Sequence, residues 1–173
     1  GYAVSDGAVI EMDAGSLTLL NCNFYNNDAE YGGVIYIGSL SSDQDADVIA
    51  FNCTFINNTA RSEGGAIYIR GEDTTITYCN LHNNSANHAG AIKVYGDDTI
   101  ISNCNFTYNI AKTSTGGALD IGGANASVYY SWFDHNDAKL EGGAINWLGG
   151  HGDDSIIGST FTNNRGNGTS RGG

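Results

Sequence analysis

The chain has 173 residues, room for one domain, with 25 Gly, no Pro and no apolar run long enough to cross a bilayer as a helix. Seven Lys and Arg against 19 Asp and Glu leave a formal net charge of -12, which repels phosphate backbones and anionic lipid and argues against nucleic acid as a partner and against direct membrane insertion. No segment reads as a secretory leader, and the chain opens on Gly1 in mid-repeat, as a segment of a longer solenoid would.

From the N-terminus, the first element is the alternating run Ile10-Glu11-Met12, followed by Leu19, Cys22, Phe24, Asn27 and the small residue Ala29. The same series then recurs: Ile35, Ile37, Ala50, Cys53, Phe55, Asn58, Ala60; Ile67, Ile69, Ile76, Cys79, Leu81, Asn84, Ala86; Ile92, Val94, Ile101, Cys104, Phe106, Asn109, Ala111. Two further copies read Leu119, Ile121, Val128, Ser131, Phe133, Asn136, Ala138 and Ile145, Trp147, Ile156, Ser159, Phe161, Asn164. Successive first apolar positions lie 25, 32, 25, 27 and 26 residues apart, and a period of this length is the mark of a repeat architecture. Within each copy the apolar residues alternate with polar ones, the period of a strand, and nowhere does a 3.6-residue period persist.

Strands this short cannot bury a face alone, so each copy must lie on the next. The pattern therefore predicts an all-β, single-stranded, right-handed parallel β-helix of about six coils spanning 1–173, the hand being the usual one for parallel crossovers. Like residues stack on like along its interior. Asn27, Asn58, Asn84, Asn109, Asn136 and Asn164 repeat without exception and are expected to form a ladder of side-chain amides that also holds the turn backbone. A Gly pair in most copies then turns the chain at little steric cost.

GGAI, ending at Ile67 and at Ile145, and FxxN, running from Phe24, Phe55, Phe106, Phe133 and Phe161, resemble the repeats of the chlamydial polymorphic outer membrane proteins. NCTFINNTA, residues 52–60, is similar to the adhesin-like proteins of methanogenic archaea. The resemblance implies an extracellular, cell-surface, adhesin-like protein with no catalytic activity.

Cys22, Cys53, Cys79 and Cys104 share one inward column with Ser131 and Ser159. Stacked Cβ atoms stand nearly a strand spacing apart, more than the roughly 3.8 Å a disulfide prefers, so four buried free thiols acting as small apolar fillers are expected. Zinc does not suit a straight column. Asp47, Asp73, Asp98 and Asp153 recur at one turn position with acidic neighbours; calcium would relieve their repulsion, or the carboxylates simply make local turn hydrogen bonds in solvent. No other cofactor is expected.

The outward column of the first strand reads Glu11, Tyr36, Tyr68, Lys93, Asp120, Asn146 and never stacks two acids, as a glycosidase would require. Lys93 and Asp120 are expected to pair on the surface at little energetic value. His82, His88, His135 and His151 fall at different phases of the repeat, with His82 and His135 too far apart to act on one atom. A binding surface fits better. Tyr130 and Trp132 flank inward Ser131 and should project side by side with Asp134 as a sugar platform, and Tyr36 with Tyr68 would make a second patch.

The connection at residues 38–47, a smaller insertion near 148–154, and coil ends at Gly1 and Gly173 without polar caps could carry contacts or continue the rod. Sequons at Asn52, Asn57, Asn83, Asn105, Asn125 and Asn167 would suit a glycosylated surface protein. The reading is a cell-surface adhesin-like module that presents a lateral surface to a glycan or protein. The alternative is a filament or sheath subunit assembling head to tail, with a polysaccharide lyase or hydrolase ranked behind both.

Overall fold

The computed structural model describes residues 6–38, 46–149 and 152–168. Within them the chain forms four parallel sheets of six strands each, and no helix. Every rung contributes one strand to each sheet; in the third rung these are Ile67–Ile69, Thr74–Thr77, Asn80–His82 and Ser85–Ala86. Strands of two to four residues joined to the equivalent strands one rung away make a β-solenoid, as the period implies.

Register follows the repeat residue by residue. Ile67 pairs with Ile35 and Ile92 in the first sheet, Ile76 with Ala50 and Ile101 in the second, and Leu81 with Phe55 and Phe106 in the third. These inward residues are fully buried, and the third-sheet column stacks ring on ring, with Phe106 and Phe133 centroids 4.7 Å apart and 1° from parallel. A slip of one residue would turn each of these side chains to the outer face, which fixes the register. On the last described rung, Ile156 and Phe161 continue the inward columns but stand open to solvent.

Two sharp corners give the rung its outline, and each is made by a single residue in the left-handed region. Between the second and third sheets that residue is Asn21, Asn52, Tyr78, Asn103, Tyr130 or Gly158; between the third and fourth it is Asn26, Asn57, Asn83, Tyr108, His135 or Asn163. Asn tolerates this conformation, whereas other side chains lose ~1–2 kcal/mol in it. Just inside the second corner lies the invariant Asn column. Asn84 Nδ2 donates to Phe55 O (2.9 Å) and to Asn109 Oδ1 (3.1 Å), and its own Oδ1 accepts from the backbone N and Nδ2 of Asn58, both at 3.0 Å. The bonds recur from Asn27 through Asn58, Asn109 and Asn136 to Asn164.

The four cysteines are free thiols, three of them buried, but the expectation of mere apolar fillers needs correction. The backbone N–H of Cys79 donates to Cys104 Sγ at 3.4 Å, and Cys104 Sγ donates to Ser102 O at 3.2 Å. Cys104 N–H donates in turn to Ser131 Oγ at 3.1 Å, and Ser131 N–H to Ser159 Oγ. Ser can replace Cys here because the column needs a small side chain that both donates and accepts. Burial pushes the Cys53 thiol up to about 11 and the Cys104 thiol well above the usual range, so neither is a nucleophile at neutral pH.

Candidate functional site

Each third-sheet strand is three residues long with its central residue inward, so it presents two side chains to the outer face. In the third to fifth rungs these are Asn80 and His82, Asn105 and Thr107, and Trp132 and Asp134. The adjoining corners add Tyr108 and His135, aromatic residues at left-handed positions where Asn would sit at lower cost. Tyr78 and Tyr130 take the same conformation at the other corner, so the strain is carried by the rung corners in general.

Together these residues form one connected surface. His82 Nδ1 lies 2.7 Å from Thr107 Oγ1, and its ring meets Tyr108 edge-on at 5.6 Å. Tyr108 stacks on His135, 4.8 Å between centroids and 14° from parallel. His135 Nδ1 lies 2.7 Å from Asp134 Oδ2, while Asp134 Oδ1 accepts from Thr162 Oγ1 at 2.6 Å and Asn163 Nδ2 at 3.0 Å. Thr162 also accepts from Trp132 Nε1 at 3.1 Å. Hydrogen bonds from Thr162, His135 and Asn163 hold the Asp134 carboxyl down at about 2. A groove of about 320 Å³ runs alongside, lined by Asn83, Tyr108, His135, Asp137, Asn163 and Arg165. Its aromatic walls and amide edges suit a ligand with flat apolar faces and hydroxyl rims.

His82 and His135 are too far apart to share one atom, but Tyr108 joins them, a link the separate reading of each histidine missed. The signal was present: Tyr108 and His135 occupy the position before the invariant Asn, where the first three rungs all carry Asn. His151 lies outside the described residues, as do residues 39–45 of the long connection and both chain ends.

Trp132 and Asp134 belong to this surface, but Tyr130 does not stand beside them as expected. It makes the left-handed corner, is 65% exposed, and lies over Gly158 of the next rung; its ring neighbour is Tyr129, 6.5 Å away.

The second expected patch is corrected more strongly. Tyr36 and Tyr68 do stack, at 5.1 Å and 11°, but Tyr68 is 1% exposed. Tyr31 packs on both rings, Arg70 Nε donates to Tyr68 Oη at 2.6 Å, and Tyr95 lies edge-on to Tyr68. The segments flanking the first sheet fold over its outer face, so outward there does not mean solvent-facing. For the same reason Lys93 and Asp120 are not a surface pair: their side chains are 5% and 2% exposed, with Nζ 2.6 Å from Oδ1.

At the acidic turns, Asp73, Asp98 and Asp153 are exposed and Asp47 is half-buried. Asp47 Oδ2 accepts from Ser16, Asp98 Oδ1 accepts from Asn125 Nδ2, and Asp153 N donates to Asn125 Oδ1. Asp73 and Asp98 themselves take the left-handed conformation. Among the described residues, no three of His, Cys, Asp and Glu gather as a metal site would require.

Among the sequons, Asn52, Asn57, Asn83 and Asn125 are exposed, and their amides already bond along the rod: Asn52 to Asn21, Asn83 to Asn57, Asn57 to Asn26 and Asn125 to Asp98. Asn167 Nδ2 donates to Asp137 at 2.9 Å. Asn105, whose Oδ1 is buried without a partner, lies in register with Trp132.

Comparison with known proteins gives one family: residues 52–70 match the Chlamydia polymorphic membrane protein repeat. The matched stretch contains the corner residue Asn57, the inner Asn58, the Gly64-Gly65 pair and two inward apolar positions of the first sheet, Ile67 and Ile69. It is a scaffold segment and contains none of the residues of the Tyr108–His135 surface. No curated protein and no solved structure matches the chain.

Proposed function

We propose that the chain is an extracellular, cell-surface adhesin-like module without catalytic activity, and that it binds a glycan on the outer face of its third sheet. The observation that carries this reading is the exposed Tyr108–His135 stack, linked to Trp132 through Asp134 and Thr162 and built at backbone positions where Asn is the cheaper residue. The repeat match at residues 52–70 supports the surface assignment. Asp134 is already engaged by three protein donors and Tyr108 lies between the His82 and His135 rings, so Trp132 offers the exposed stacking face while Asn83, Asn163 and Arg165 offer the polar edges. The net charge of -12 favours neutral over acidic sugars. A glycan array probed with the protein and with Trp132→Ala tests the reading: a neutral saccharide bound by the first and lost by the second supports it, and an array without binding, or binding indifferent to Trp132, removes it.

Head-to-tail association is a second reading, favoured by the open inward columns at Ile156 and Phe161. A further rung would cover them, supplied by more of the same chain or by another copy. Sedimentation against concentration separates these: growing polymers support self-association, and a constant monomer mass rejects it.

A further inference from the structure

We propose that Lys93 and Asp120 condense into an intramolecular isopeptide bond that ties the fourth rung covalently to the fifth. The two residues are register partners on neighbouring first-sheet strands. Their Nζ–Oδ1 distance is 2.6 Å, and the side chains are 5% and 2% exposed. As an ion pair this is a poor stabilising device, since two desolvated charges cost more than their attraction reliably returns. As an amide the same atoms carry no charge, and the cost of burying two ions disappears.

The surroundings are arranged for that conversion. Asp120 Oδ2, the oxygen away from the lysine, accepts from Thr115 Oγ1 at 2.8 Å and from Asn146 Nδ2 at 3.0 Å. Two donors are therefore already aimed at the oxygen on which charge develops when an amine adds to the carboxyl carbon. The Tyr95 ring, 4.3 Å from Nζ, lies against the ammonium, and its hydroxyl is fixed by a 2.8 Å bond to Glu63.

The step balances without a further reagent. The Nζ proton passes along the short hydrogen bond to Oδ1, leaving a neutral amine and a neutral carboxylic acid. The amine lone pair attacks Cγ, and the Cγ–Oδ2 π pair moves onto Oδ2 under Thr115 and Asn146. A second proton moves from nitrogen to Oδ1, which leaves as water while Oδ2 regains its double bond. One C–N bond forms, one C–O bond breaks, and one water is released. Holding the reacting atoms in contact inside the fold replaces the activation such a condensation needs in free solution.

The cross-link would close a loop of the rod between rungs and resist its being pulled open along its length. Intact-mass spectrometry of the folded protein, followed over prolonged incubation, tests it. The expected product is lighter than the sequence by one water, and its proteolytic map contains a branched peptide joining Lys93 to Asp120. Lys93→Met and Asp120→Ala should hold the full sequence mass, and Thr115→Val should slow the loss while the protein stays folded. An unchanged wild-type mass overturns the proposal, as does a water loss that persists in Lys93→Met, which would place the dehydration elsewhere. The peptide map of the wild-type protein decides the matter even if a variant fails to fold.

Discussion

Asn58 Nδ2 donates to Asn84 Oδ1 at 3.0 Å, and the backbone N–H of Asn58 donates to the same oxygen, also at 3.0 Å. One side-chain oxygen thus serves two donors of the rung before it, while its own amide serves the rung on either side.

Replacing Asn84 with Leu leaves the Asn58 N–H and amide and the Phe55 carbonyl without these partners in a site closed to water. At ~1–3 kcal/mol for each buried group left unpaired, the variant should lose about 3 kcal/mol or more. Chemical denaturation measures it, and wild-type stability would show that the column does not hold the rungs.

Gly90 is one of a column of glycines, with Gly33, Gly65 and Gly117, where rung stacking leaves no space for a side chain. A Cβ there would collide with the Gly117 carbonyl and the Ile110 backbone of the next rung. A Gly-to-Ala change that the fold accommodates stabilises by about 0.4–1 kcal/mol; Gly90→Ala should instead destabilise by more than that amount, read as a lowered melting temperature.

Cys104→Ser should be tolerated within about 1 kcal/mol, because Ser131 already performs the same exchange of bonds one rung on. Cys104→Val keeps the bulk but strands the Cys79 N–H, at a cost of about 1–3 kcal/mol. Equal melting temperatures for the two variants would contradict the hydrogen-bonding role of the column.

Tyr108→Asn restores the residue that the first three rungs carry at this corner. Relief of the left-handed conformation offsets the lost stack on His135, so stability should stay within about 1 kcal/mol. Glycan affinity should nevertheless fall about tenfold, the equivalent of 1.4 kcal/mol. Unchanged affinity in a stable variant would move the binding surface elsewhere.

The Asp134 carboxyl sits at about 2 in the folded chain because Thr162, His135 and Asn163 bond its ionised form. A folded value below the unfolded one means stability that is complete above the ordinary carboxylate range and lost as pH falls from roughly 4 through 2. An NMR titration should place the Asp134 midpoint near 2, and Thr162→Val should move it upward.

The period, the inward columns, the register and the strand-only character all followed from the sequence. A solenoid core is one-dimensional: a residue's partner is its own equivalent one rung away, so Leu81 between Phe55 and Phe106 can be read directly from the spacing. The invariant Asn column was legible for the same reason. What the sequence left open was the outer surface. Strand alternation marks Tyr68, Lys93 and Asp120 as outward, but only the folded chain brings Tyr31, Tyr95 and Thr115 over them, turning an expected surface patch and surface ion pair into buried groups. Likewise, the left-handed corner that removes Tyr130 from Trp132 and sets Tyr108 against His135 depends on backbone torsions, which alternation does not encode. The repeat determined what lies inside the rod, because the interior meets only other copies of itself. Tertiary structure decided what is accessible outside it, because corners and covering segments differ from rung to rung.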